Sequence, residues 1–293
     1  MQHSLEPVES RIHLGLPMRR FSRFYMRWKV RARARAHRGT VRTIPAVASP
    51  ELGNRRNLLV YTPASYARGT ARYPVIYMHD GQNLFDAATS FAGDWGLKTA
   101  LAWASRRGLE AIVVGIPNMG AARIDEYTPF VDPKVGGGGG DRYLDYLINT
   151  VKPLVDARFR TLPHRTHTGI AGSSLGGLIS LYAYFRYPSV FGFAAALSPA
   201  LWFANAAILD VAEQAPRAPG GGRLYFDVGL PEGDTHVRLA RRLRDVLLAK
   251  GYEPQRDVRW VEDEAGRHHE SAWGRRFRRA LPFLLRNGGS GPR

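Results

Sequence analysis

Apolar residues along the chain cluster into short continuous runs separated by longer stretches of mixed pattern. Seven runs of four to six residues, rich in β-branched and aromatic side chains, lie at 58–61, 75–78, 111–116, 168–171, 193–197, 224–228 and 258–261. Each is bounded by turn residues, which predicts strands. Several lack polar alternation, as strands covered on both faces do. Helix-length stretches lie between them at about 95–107, 142–158, 175–186, 235–250 and 272–285. Strand and helix alternate, which predicts an α/β chain with a mostly parallel, doubly wound sheet. No repeat of fixed period occurs, and Gly136–Gly140 reads as a low-complexity, flexible loop.

The flanks follow a different pattern. At about 100° per residue, Leu14, Met18, Phe21, Phe24, Tyr25 and Trp28 gather on one helical face, and Arg19, Arg20, Arg23 and Arg27 gather opposite. Residues 1–39 therefore read as a basic amphipathic arm. It could pack on its own domain or a neighbouring subunit, or rest weakly on an anionic membrane surface. Residues 40–286 read as the folded domain, and 287–293 as a flexible tail.

Charge changes this picture little. The net charge is +17, with 11 basic and 2 acidic groups in residues 1–42, and 7 and 1 in residues 267–293. The 24 basic and 22 acidic groups in between leave the body nearly neutral. No basic stripe or reader motif marks that body, so specific nucleic-acid binding is not expected. The chain has no cysteine, which excludes disulfides, thiolate zinc sites and cysteine nucleophiles. No apolar run reaches the ~18 residues of a membrane span. Arg23, Arg27 and Lys29 stand where a twin-arginine signal beginning at Arg19-Arg20 would need its apolar core, so a cytoplasmic location is expected.

In sheets of this kind ligands bind at the carboxyl ends of the strands. There, Gly172-Ser173-Ser174-Leu175-Gly176 reads G-x-S-x-G between a strand and a helix. That turn projects a serine Oγ away from the sheet, and its glycines permit the tight bend. Ser174 needs a base. In α/β hydrolases an acid and then a histidine follow the serine along the chain. Glu232 and Asp234 follow the next-to-last predicted strand, and His268 and His269 the last. Spacing alone leaves either acid and either histidine open. Oxyanion donors are expected from the Leu175 N–H and from Gly81 or Gln82 after the 75–78 strand. Gly136–Gly140 lacks the Lys-Ser/Thr of a phosphate loop, and no helix-spaced His/Glu set suggests zinc. No cofactor is expected.

These residues resemble the esterase family of bacterial α/β hydrolases, which is similar to enterochelin esterases, feruloyl and acetyl-xylan esterases and mycolyltransferase-like hydrolases. The resemblance covers roughly residues 40–286. It rests on Tyr73–Asp86, Ala171–Leu178, Leu197-Ser198-Pro199 and His268-x-Glu270-x-x-Trp273. It implies the α/β-hydrolase fold and places the catalytic histidine on His268 and the acid on Glu232. It also implies that Asp80, Arg123, Glu126, Tyr127 and Trp202 shape the substrate site. The implied function is hydrolysis of a small-molecule carboxylic ester through an acyl-enzyme. The alternatives are an acyltransferase using the same triad and a noncatalytic, membrane-associated binding protein.

Overall fold

The computed structural model describes residues 39–217 and 220–286. The expected arm, apart from Gly39, and the expected tail lie outside the described residues.

Ten strands are present among them: β1 (Thr40–Ser49), β2 (Asn54–Thr62), β3 (Val75–His79), β4 (Ile112–Ile116), β5 (Val131–Asp132), β6 (Gly136–Gly137), β7 (Thr168–Ser173), β8 (Phe193–Leu197), β9 (Arg223–Gly229) and β10 (Val258–Asp263). The principal helices are α1 (Leu97–Ser105), α2 (Arg123–Tyr127), α3 (Gly140–Asp145), α4 (Lys152–Arg158), α5 (Leu175–Arg186), α6 (Ile208–Gln214), α7 (Asp234–Ala249) and α8 (Glu270–Leu284). Eight strands form one sheet in the order β1-β2-β4-β3-β7-β8-β9-β10. Pairing is parallel from β4 to β10 and antiparallel at β1–β2 and β2–β4.

Successive side chains of a strand point to opposite faces. Val75 and Tyr77 enter one core with Leu178 and Leu181 of α5 and Leu243 and Leu247 of α7. Ile76 and Met78 enter the other with Leu97 and Leu101 of α1 and Phe277 and Leu281 of α8. Helices thus cover both faces of a mostly parallel sheet, the α/β-hydrolase arrangement.

Each of the seven predicted runs overlaps one strand of this sheet. Three elements depart from the sequence reading. β1 was not expected, because Pro45 interrupts it. It is an edge strand, where a missing N–H is tolerated, and its register shifts between Ile44 and Val47 at a bulge. The helix expected over 142–158 is divided by a π-helical segment, Tyr146–Val151, just before Pro153. Pro153 supplies no N–H to the preceding turn, so the ladder changes register there. Gly136–Gly140 is packed rather than loose. Gly136 and Gly137 pair with β5, and a Cβ on Gly140 would lie 2.7 Å from the Pro129 nitrogen.

The chain runs outward from β3 to β4 on one side and from β7 to β10 on the other. The crevice between the carboxyl ends of β3 and β7 is therefore the topological switch point, where such sheets bind ligands.

Candidate active site

Ser174 stands at that crevice, between β7 and α5, with φ 55° and ψ −122°. This is strained backbone for a residue with a Cβ, and the surroundings hold it on both sides. Its N–H donates to the Leu197 carbonyl at 3.0 Å, and its own carbonyl accepts from Ala200 and Leu178, each at 3.0 Å. The flanking glycines sit where space is scarce, prohibitively so at Gly172. A Cβ on Gly172 would lie 2.7 Å from the Gly176 backbone and 2.9 Å from the His79 ring, and one on Gly176 would lie 3.1 Å from His79 Cβ. The Leu175 N–H is the first of α5 and has no intrahelical partner.

Of the two candidate acids, Glu232 is the one joined to a histidine. His268 Nδ1 lies 2.9 Å from Glu232 Oε2. Oε1 accepts from the Ser198 hydroxyl at 2.6 Å and from the Gly229 N–H at 2.9 Å. Burial alone would raise the Glu232 carboxyl, but the bonds from His268, Ser198 and Gly229 outweigh it and hold the group below its ordinary pKa. Asp234 opens α7 in an exposed position. The histidines separate as clearly. The His268 ring stands edge-on to Trp273 at 4.9 Å. His269 caps α8, its Nδ1 accepting from the Ser271 N–H at 3.3 Å.

A buried network that the sequence reading missed lies behind Glu232. Arg276, 1% exposed, donates to the Ser198 hydroxyl at 2.7 Å and lies 3.4 Å from Glu232 Oε1 and 3.5 Å from Asp227 Oδ1. Trp273 Nε1 donates to the same hydroxyl at 3.1 Å. Burial pushes the Asp227 carboxyl up to about 6, against the pull of Arg276, the Ser198 amide and the Tyr225 hydroxyl. A signal for Arg276 was present. It falls three residues after Trp273 and four before Ala280, inside the apolar stripe of α8.

Across the crevice, Asp80 turns the chain out of β3 with φ 54°. Its carboxylate takes a bidentate pair from Arg123 at 2.8 and 2.9 Å and a bond from Asn118 Nδ2 at 2.7 Å. Gly81 packs on β4, where a Cβ would lie 2.6 Å from the Gly115 backbone. The Gln82 side chain accepts from the Asn118 N–H at 3.2 Å. These contacts fix the loop 80–83 against the loop after β4.

An open cleft of about 810 Å³ brings Ser174, His268, Trp273, Gln82, Asp80 and Arg123 to one wall system. Glu270 and Phe91 also line it, and Phe91 is 95% exposed. Three residues expected to shape the substrate site do not line this cleft. Tyr127 is fully buried, and its hydroxyl accepts from the Asp80 N–H at 3.1 Å, so it supports the loop from behind. Glu126 is buried in an ion pair with Arg56 at 2.6 Å, which anchors α2 to β2. Trp202 is 45% exposed, beside Phe203, and does not line the cleft. Among the described residues no group of three or more His, Asp or Glu side chains could hold a metal ion, and no helix is long and apolar enough to cross a membrane.

Comparison with known proteins places the family and the fold. Over 252 residues, 82% of this chain and 96% of the relative, the chain is 29% identical to the uncharacterized protein YbbA of Bacillus subtilis. It is 35% identical over 151 residues to the siderophore triacetylfusarinine C esterase of Aspergillus fumigatus, about half the length of each chain. The fold matches an IroE-like serine hydrolase from Shewanella oneidensis with a TM-score of 0.66 at 20% identity, covering 83% of this chain and 80% of that one. The Esterase family model, described as "Putative esterase", matches residues 49–284. The chain belongs to this Esterase family and is a carboxylic ester hydrolase of the α/β-hydrolase fold.

Proposed function

We propose that the chain is a serine esterase that works through an acyl-enzyme, with Ser174 as nucleophile, His268 as base and Glu232 as the orienting acid. The observation that carries this reading is the 2.9 Å contact between His268 and Glu232 in the cleft that Ser174 also lines. With Nδ1 held by Glu232, the other ring nitrogen, Nε2, is the one that takes the Ser174 proton as Oγ attacks the ester carbonyl. The negative oxygen of the tetrahedral intermediate is met by the N–H groups of Leu175 and of Gln82 or Gly81. His268 then returns its proton to the leaving alcohol. Water, deprotonated in turn by His268, releases the acid and restores Ser174.

The cleft favours an ester with hydrogen-bonding groups over a long aliphatic one. Its walls carry Asn83, Thr89, Ser90, Asn118 and Arg123, with Phe91 as an aromatic face at the rim. A siderophore-type ester, the substrate named for the Aspergillus fumigatus relative, combines such features and is the first class to test.

The experiment is turnover of a panel of esters by the wild type and by Ser174→Ala, with fluorophosphonate labelling and mass detection of products. Loss of both turnover and label in a folded Ser174→Ala protein is the expected result. Near-normal turnover in that variant would overturn the mechanism. Product partition with added alcohol acceptors tests hydrolysis against acyl transfer.

A further inference from the structure

At the opposite end of the sheet, an open cavity of about 650 Å³ lies against the amino-terminal ends of β8 and β9. Five arginines line it: Arg165, Arg217, Arg223, Arg256 and Arg286. Asp257, the one carboxylate among its described lining residues, is already engaged by Arg217 at 2.7 Å and Arg256 at 3.0 Å. The hydrogen bonds of Arg223 and Arg286 go to backbone carbonyls. Arg223 donates to the Arg286 carbonyl at 3.0 Å and the Thr166 carbonyl at 3.3 Å, and Arg286 donates to the carbonyls of Gln255 and Arg256. Such bonds orient a guanidinium without neutralising it.

Arg223 opens β9 at the cavity wall. It is half-buried, and its Nε is buried without a hydrogen-bond partner. Burial, together with the charges of Arg286 and Arg165, lowers its pKa to about 10. Placing like charges together in partly desolvated space opposes folding unless a counter-charge joins them. A neighbouring recess of about 380 Å³ shares Thr166, Arg223 and Arg286 and adds both Arg72 and Glu110, whose charges offset, so the excess of positive charge is that of the larger cavity.

We infer that this cavity is a binding site for a phosphate group, inorganic or carried by a small molecule, held by the guanidiniums of Arg223 and Arg286. Guanidinium forks match the planar pairs of oxygens that a phosphate presents. β9 runs from Arg223 at this site to Gly229 beside Glu232, a rise of roughly 20 Å, so the site is separate from the ester-binding cleft.

The test is calorimetric titration of the full chain with inorganic phosphate, pyrophosphate and glycerol 2-phosphate, with sodium chloride holding the ionic strength constant. Saturable binding is expected. Preference for the inorganic ions or for the ester distinguishes the two sources. Arg286→Gln and Arg223→Gln should each weaken it about tenfold or more, the effect of losing one charged hydrogen bond. Arg19→Gln/Arg23→Gln in the basic arm should leave it unchanged. Turnover of a soluble ester should be unaltered in Arg286→Gln. If Arg223→Gln does not fold, Arg286→Gln carries the comparison. Absence of saturable binding in the wild type, or equal affinity in Arg286→Gln, overturns the inference and assigns any phosphate uptake to diffuse charge.

Discussion

The Ser198 hydroxyl donates to Glu232 Oε1 at 2.6 Å. The Ser198 hydroxyl oxygen also accepts from Trp273 and Arg276, so one hydroxyl ties the loop after β8 and helix α8 together behind the proposed acid. Ser198→Ala should lower kcat about tenfold, the scale of one hydrogen bond to a charged group, with a smaller change in KM. Steady-state kinetics on a soluble ester read the split. An equal loss in the Tm of the variant with no change in kcat would make the contact purely structural.

The adjacent histidines should behave as different kinds of residue. His268→Ala should remove the acylation burst with a nitrophenyl ester, a loss of three or more orders of magnitude on the scale of other triads. His269→Ala should keep the burst and lose about 1 kcal/mol of stability, the usual cost of a lost helix cap. The reverse ranking would move the base to His269.

Glu232 and Asp234 can be separated in the same way. Glu232→Gln leaves the imidazolium of the transition state without its carboxylate and leaves Arg276 facing an amide. Turnover should fall steeply. Asp234→Asn, at an exposed first position of α7, should change turnover little and cost at most about 1 kcal/mol through the helix dipole. A larger catalytic defect in Asp234→Asn would displace Glu232 from its proposed role.

His79 gives the protein an acid-sensitive core. Burial lowers its pKa from 6.5 to about 3, with Asp80 pulling upward and Arg123 downward. The unfolded chain takes up this proton near pH 6.5, and the fold refuses it until about pH 3. Its contribution is therefore complete above pH 6.5 and is lost as pH falls toward 3, on the order of a few kcal/mol in total. Urea unfolding between pH 7 and 4 should show a steeper decline for the wild type than for His79→Gln. Parallel curves would count against it.

Phe91 is the exposed aromatic at the cleft rim. Phe91→Ala should raise KM severalfold for esters with an aromatic group and leave acetyl esters of small alcohols unaffected. A uniform effect across the ester panel would show that the side chain orders the loop rather than meeting the substrate.

The parallel core was legible because buried strands read as unbroken apolar runs, as Val75–Met78 and Phe193–Leu197 do. The elbow was legible for steric reasons: the chain packs too closely at Gly172, two residues before Ser174, for any Cβ. β1 was hidden by Pro45 and by its exposed edge. The choice between His268 and His269 was invisible to spacing, since adjacent residues satisfy the same interval; the cap made by His269 and the bond from His268 to Glu232 distinguish them. Arg276 was obscured by Arg275, Arg278 and Arg279 on the same helix, although its place in the apolar stripe marked it. Tyr127 and Glu126 were misplaced because resemblance transfers neighbourhood along the chain, while burial decides which neighbours face the cleft.

The Arg276 network lies across segments far apart in the chain. Ser198 follows β8, Asp227 lies in β9, Glu232 follows β9, and Arg276 belongs to α8, which starts just after His268. No one of these segments can lift away without stripping partners from the others. Their amide protons should therefore exchange with solvent together, through one shared opening, while the exposed loop around Phe91 exchanges freely on its own. The Glu232–His268 side of the cleft should then behave as a single cooperative unit, and the rim around Phe91 should tolerate change without disturbing it.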